Sequence, residues 1–177
     1  MNIKKEERYN KVIYIIILLL AVALDRVTKV LATQKLQGKG EVNVIGNVFQ
    51  FIYTENRGAA FGILQGKQFF FYLITFLVIA AIVYFLIRIP RESIYLPIGI
   101  VATFIMAGAI GNLIDRITQQ YVVDFIYFRP IDFPVFNVAD IYVTLGCIAF
   151  AILVLFVYRD SDFNFIDPRK DTHVSKS

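Results

Sequence analysis

The stretch YVVDFIYFRPIDFPVFNVAD, residues 121–140, sets Asp124, Asp132 and Asp140 among aromatic and branched apolar residues. A strand or helix that apolar has no structural need for carboxylates, so their chemistry is the first question. Two carboxyl groups held close in a low-dielectric site cannot both ionise. They share a proton, and one can act as base and the other as acid on an attacking water. That chemistry needs no metal and no covalent intermediate. Asp132 stands two residues after Pro130 and two before Pro134, which reads as a solvated turn carboxylate. Asp124 and Asp140 remain candidates for catalysis, with a helix cap or interfacial turn acid as the alternative for each.

Other chemistries find few residues. The single histidine, His173, lies in the polar C-terminal tail, away from the apolar segments and their polar residues, and no HExxH zinc motif exists. The serines Ser93, Ser161, Ser175 and Ser177 fall at or beyond one end of the apolar segments. Cys147, the only cysteine, excludes an internal disulfide and reads as a packed residue in a late apolar segment. There is no Gly-rich phosphate loop. The net charge of +4 is scattered around apolar blocks, without the basic, aromatic-studded face that nucleic acid would require. The residues imply no metal, no cofactor and no nucleic-acid partner.

The elements that must position the two acids are membrane helices. Hydrophobic residues make up 58% of the chain, against about 45–50% for a soluble domain. Uncharged blocks at Val12–Leu24, Gln68–Ile87, Ser93–Ile114 and Ile141–Tyr158 are separated by polar segments. The last three can each cross a hydrocarbon core that needs about 20 residues. The first is short, and completing its crossing carries Asp25, Arg26 and Lys29 into the outer part of the membrane. The expected fold is an all-α membrane protein of four transmembrane helices, with spans at about 12–32, 68–88, 93–114 and 138–158. A small extracytoplasmic β element is expected at about 40–61, where VNVIGNVFQFIYT breaks at Gly46-Asn47. Tails 1–11 and 159–177 are expected to be flexible. Basic residues weigh toward the tails and the 88–92 turn once Arg26, Lys29 and Arg116 are set aside as lying at membrane depth. Both termini are therefore expected in the cytoplasm.

On that topology the unusual polar residues converge at the outer leaflet, where ionisable groups at membrane depth are functional candidates. Asp25 and Lys29, four residues apart on one helical face, suit a buried ion pair. Asn112 and Arg116 share a face in the same way, to snorkel or to contact a ligand. Asn137, three residues before Asp140, could fix a carboxylate or cap the last span. Asn56 and Gly58 could bind a ligand or merely turn the chain into the second span. The run AGAIG, residues 107–111, suits close helix packing.

Five segments together carry a resemblance. DRVTK (25–29), NRGAAFG (56–62), GNLIDR (111–116), VVDF (122–125) and FNVAD (136–140) occur in the order and approximate spacing of lipoprotein signal peptidase, or signal peptidase II. The match spans residues 12 to 158. The resemblance implies a membrane aspartyl endopeptidase with Asp124 and Asp140 as its catalytic dyad. It favours Asn56, Gly58, Asn112, Arg116 and Asn137 as substrate-binding or site-bracing residues, with Asp25–Lys29 as structural support. The implied substrate is a bacterial prolipoprotein cut just before its diacylglyceryl-modified cysteine, handled by a monomer among the lipids of the cell membrane. The family motif usually places a serine after its last aspartate, where this chain has Ile141. The rival reading is a small proton-coupled transporter or channel, which would show repeat-related halves and broken spans near the midplane. Because Asp140 is followed by apolar residues and Asp124 lies in an exposed connection, Asp140 is expected to be the less hydrated acid.

Overall fold

The structure, a computed structural model, describes residues 3–58, 68–90 and 92–166. Residues 59–62 of the NRGAAFG segment, Lys67, Arg91 and the tail with His173 lie outside the described residues. Helix α1 runs Ile3–Leu36, α2 Gln68–Arg88, α3 Leu96–Gln119 and α4 Val138–Phe156. Strands β1 (Val42–Ile45), β2 (Phe49–Asn56) and β3 (Val122–Phe128) form one antiparallel sheet in the order β1-β2-β3. Two expectations about the tails change. Residues 3–11 continue α1, and Asp160–Ile166 forms a 3-10 turn. That turn is held by the Tyr95 hydroxyl donating to the Asp162 carbonyl and by aromatic contacts among Tyr95, Phe163 and Phe165.

Among the described residues three helical segments are long and apolar enough to cross a membrane: Phe69–Arg88, Ser93–Gln119 and Val138–Phe156. Their outward faces are strongly apolar, with Phe76, Leu155 and Leu19 of α1 among the most exposed side chains. Faces of this extent on water would be an aggregation hazard, and they suit lipid. Cys147 sits on such a face of α4 and is exposed, contrary to the expected packed position. The reason is helical phase: Gly146 is turned inward, so its neighbour points out.

Helix α3 is the centre of the bundle and touches each of the other three. Gly99, Thr103, Ala107, Gly111 and Asp115, each four residues apart, form its buried stripe. The AGAIG run works here as close packing. A Cβ at Gly108 would meet the Ala139 carbonyl and the Val143 side chain, and one at Gly111 would meet the Asp25 carboxylate. Small residues let the backbones of α3, α1 and α4 approach where lipid offers no hydrophobic driving force between helices.

A buried charge network ties these helices at the end that carries the sheet. Lys29 Nζ lies 2.9 Å from Asp25 Oδ2, 3.0 Å from Asp115 Oδ2 and 2.8 Å from Asn112 Oδ1. The ammonium thus lies within 3.0 Å of three oxygens, one of them a hydrogen-bond acceptor on Asn112, and the side chain is only 1% exposed. Arg26 Nη1 pairs with Asp115 Oδ1. Asp25 Oδ1 accepts from the Ala139 backbone N–H of α4 at 3.0 Å, and Asp115 Oδ2 accepts from Val123 N–H of β3 at 3.3 Å. Two acids and two bases from α1 and α3 therefore stand where the sequence suggested one pair. Asp115 stands in the GNLIDR segment, but nothing in the sequence showed its partners across the bundle.

Removing one member of such a network strands a buried charge, which costs about 3–5 kcal/mol. Lys29→Met leaves Asp25 without a cation and should be the most damaging single change. Adding Asp25→Asn should restore part of the loss, since a neutral carboxamide in place of the carboxylate can still accept from Ala139 N–H. Thermal unfolding in detergent checks this; a double variant less stable than either single would exclude the coupling.

Candidate active site

Helix α4 starts on a capping box. Asn137 is extended (φ −129°, ψ −177°), and its Oδ1 accepts from Asp140 N–H at 3.0 Å. The Asp140 carboxylate reaches back, its Oδ2 accepting from Asn137 N–H at 3.0 Å. Both readings of Asn137 hold at the level of geometry. The oxygen of its amide caps the helix, and its Nδ2 donates to Asp124 Oδ1 at 2.6 Å and to Asn112 Oδ1 at 3.2 Å. One amide therefore spans the two aspartates singled out by the sequence.

The sheet brings Asp124 to this point. In the β2–β3 pairing Thr54 lies opposite Asp124, so Asn56, two residues further along β2, projects on the same face. Asn56 Nδ2 donates to Asp124 Oδ2 at 2.9 Å. Beyond β3, an isolated bridge joins Ile126 to Phe136, with Phe136 N–H donating to the Ile126 carbonyl at 3.0 Å. That bridge returns the chain to β3 just before Asn137 and so sets the start of α4 beside Asp124.

Helix α3 completes the ring. Asn112 Nδ2 donates to Asp140 Oδ1 at 2.8 Å, while its Oδ1 receives Lys29. All four carboxylate oxygens thus accept from an N–H donor. Asn56 Oδ1 accepts from Gly58 N–H at 3.0 Å, and the Gly58 carbonyl accepts from Arg116 Nη2 at 3.4 Å. Arg116 also donates to the Asn112 carbonyl at 3.4 Å, and its guanidinium lies 4.7 Å from the centre of the Phe71 ring. It adds positive field to both carboxylates without a direct bond to either among the described contacts. Asn56, Gly58, Asn112, Arg116, Asp124, Asn137 and Asp140 are all brought together, with Asp25 and Lys29 directly behind Asn112 and α4.

Asp132 stays outside. It closes a 3-10 turn at φ 47°, is exposed, and accepts from the Tyr127 hydroxyl at 2.7 Å. Ile141 packs against the buried cluster of Ala32, Leu36, Val123, Phe125 and Ile126, so its side chain braces helix against sheet. Among the described residues no three His, Cys, Asp or Glu side chains are grouped to hold a metal.

The order of hydration is the reverse of that expected from sequence. Asp124 is 2% exposed, because β3 is covered on both faces, whereas Asp140 is only half-buried at the open start of α4. Burial first, and the charge of Asp140 second, push the Asp124 carboxyl up to about 7, against the opposing hydrogen bonds from Asn56 and Asn137. An acid that keeps its proton near neutrality beside an acid open to solvent is an arrangement suited to general acid–base hydrolysis.

Comparison with known proteins finds relatives over most of the chain. The family model for signal peptidase (SPase) II matches residues 17–156. The lipoprotein signal peptidase of Clostridium novyi (strain NT) is 44% identical over 144 residues, covering 80% of this chain and 96% of that protein. That of Caldanaerobacter subterraneus subsp. tengcongensis is 46% identical over 143 residues, covering 80% and 95%. A solved bacterial membrane enzyme, at 35% sequence identity, superposes with a TM-score of 0.70 over 93% of this chain and 92% of its own. With the family model covering most of the chain and the relatives aligned nearly end to end, the chain belongs to the signal peptidase II family.

Proposed function

We propose that the protein is the membrane aspartyl endopeptidase that removes the signal peptide from diacylglyceryl-modified prolipoproteins, cutting just before the lipidated cysteine. Family membership supports the protease activity and its substrate class. The observation that carries the mechanism is the Asn137 bridge between Asp124 and Asp140.

In this mechanism Asp124 enters protonated and donates to the scissile carbonyl oxygen. Asp140 takes a proton from the attacking water as oxygen adds to the carbonyl carbon. On collapse, Asp140 returns its proton to the leaving amine nitrogen of the cysteine, and Asp124 recovers its own from the intermediate's hydroxyl. Asn112 and the Asn137 backbone N–H hold the base, and the Asn56 and Asn137 side-chain amides hold the acid. The backbone of Gly58, fixed by Asn56 and Arg116, suits contact with an extended substrate.

The same reading sets the topology. Residues 12–32 of α1 form a fourth span, both termini are cytoplasmic, and the chain works as a monomer. The sheet and the dyad then lie at the outer leaflet, where a signal helix and its lipid can enter sideways between apolar helix faces. The family match displaces the proton-coupled transporter.

Asp124→Asn and Asp140→Asn are each expected to lower cleavage of lipidated precursor by roughly 10²–10⁴-fold, the scale of general acid–base catalysis, with membrane insertion intact. Asp132→Asn should be close to wild type. Comparable turnover in Asp124→Asn and the native enzyme would refute the assignment. Cleavage should persist in excess EDTA; loss that zinc restores would overturn the mechanism.

The raised Asp124 carboxyl also predicts a stability trend. Its folded value of about 7 lies above the ordinary value of 3.8, so the folded state holds the proton more tightly. The stabilisation is complete below about 4 and is lost as pH rises through about 7. Thermal unfolding of the native protein should therefore weaken between pH 5 and pH 8 more than that of Asp124→Asn. Parallel curves would show that Asp124 is not the shifted group.

A further inference from the structure

The Lys29 ammonium does more than neutralise its carboxylate neighbours. Two of its three contacts are to Asp25 and Asp115, at 2.9 and 3.0 Å. The third and shortest, 2.8 Å, is to a neutral atom, Asn112 Oδ1. The other end of that amide is the donor to Asp140. An asparagine amide can in principle be turned end for end, and its neighbours decide the orientation. Turning Asn112 would set its NH2 against the lysine ammonium, which has no acceptor, and its oxygen against the Asp140 carboxylate. Asn137 Nδ2 supplies a second donor to Asn112 Oδ1, but it is neutral and longer, at 3.2 Å. The charged donor also polarises the amide and strengthens its opposite N–H.

We propose that Lys29 is a positioning residue for the reaction: through the Asn112 carboxamide it keeps an N–H donor aimed at Asp140 and so holds that acid in its charged, proton-accepting form. The proposal rests on the dyad reading above. It assigns Lys29 a role that an ion pair alone would not have. The charged and titratable groups around Asp140 are Lys29 and Asp25 from α1, Asp115 and Arg116 from α3, and Asp124 from β3. Asp25 and Lys29 carry opposite charges side by side. Removing both leaves the field at Asp140 nearly unchanged, while the donor to Asn112 is lost.

The test therefore uses the full chain in detergent with the charge-neutral paired change Lys29→Met/Asp25→Asn, and the native protein as reference. Cleavage of lipidated precursor is followed as a function of pH. The paired variant should show its acid-side loss of kcat displaced upward by about one pH unit relative to the reference, roughly tenfold less turnover on that side, and little change near the optimum. In an Asn112→Leu background the displacement should vanish, because the carrier of the effect is gone. The second readout needs no catalysis: the ¹⁵N-labelled side-chain NH2 resonance of Asn112, identified by its loss in Asn112→Leu, should titrate with Asp140 at a higher pH in the paired variant. Unchanged acid limbs and unchanged resonance midpoints would reduce Lys29 to an ion-pair partner. A displacement that persists without Asn112 would assign the effect to charge alone. If Asp140→Asn instead cleaves normally, the dyad reading fails, and the resonance titration still decides the Lys29–Asn112 coupling.

Discussion

The start of α4 is the constraint on which the site depends. A helix leaves its first N–H groups without intrahelical partners, and apolar surroundings supply no water to take them. Here Asn137 N–H is taken by Asp140, Asp140 N–H by Asn137, and Ala139 N–H by Asp25 from a helix more than a hundred residues earlier. The residues that satisfy the helix end are the same ones that form the dyad and its support. On the proposed mechanism capping and catalysis share atoms, so the candidate site is held as tightly as the helix it begins.

The close packing of α3 follows from that requirement. Asp25 can reach Ala139 only where Gly108 and Gly111 let the backbones of three helices approach. The charge network then stands where Asp25, Lys29 and Asp115 are buried while Arg26 reaches the surface. Buried ions survive there because each has its partners: Lys29 lies between two carboxylates and the Asn112 amide oxygen, and Asp115 takes Arg26, Lys29 and a strand N–H. The same low-dielectric surroundings that would penalise a lone charge hold the asparagine amides in one orientation.

The sheet contributes the second acid from a different direction. Strand β3 is buried along most of its length, with β2 at its edge and α1 and α3 against it, and its pairing with Phe136 governs how far the chain travels before α4 begins. Asp124 is thereby dehydrated while Asp140 stays open. The two like acids acquire different surroundings from position alone, and the proposed mechanism gives them different tasks. The roles follow the packing and not the residue type.

Much of this was legible in the chain. Uninterrupted apolar blocks can only be helices in lipid, the Gly46-Asn47 break marks a hairpin, and carboxylates and amides without a structural reason must gather somewhere. Spacings of three and four residues placed Asn137 with Asp140, Asn112 with Arg116 and Asp25 with Lys29. These are local facts, because periodicity acts over a few residues. Which acid would be dry, that Asp115 and Arg26 join the ion pair, that Asn112 turns its nitrogen to Asp140, and that Cys147 faces outward were left to the tertiary structure. Each depends on contacts between segments distant in sequence, such as the distance at which α3 meets α1 and the register of β2 on β3. A linear pattern carries no measure of those distances. Hydration and hydrogen-bond direction are set by them.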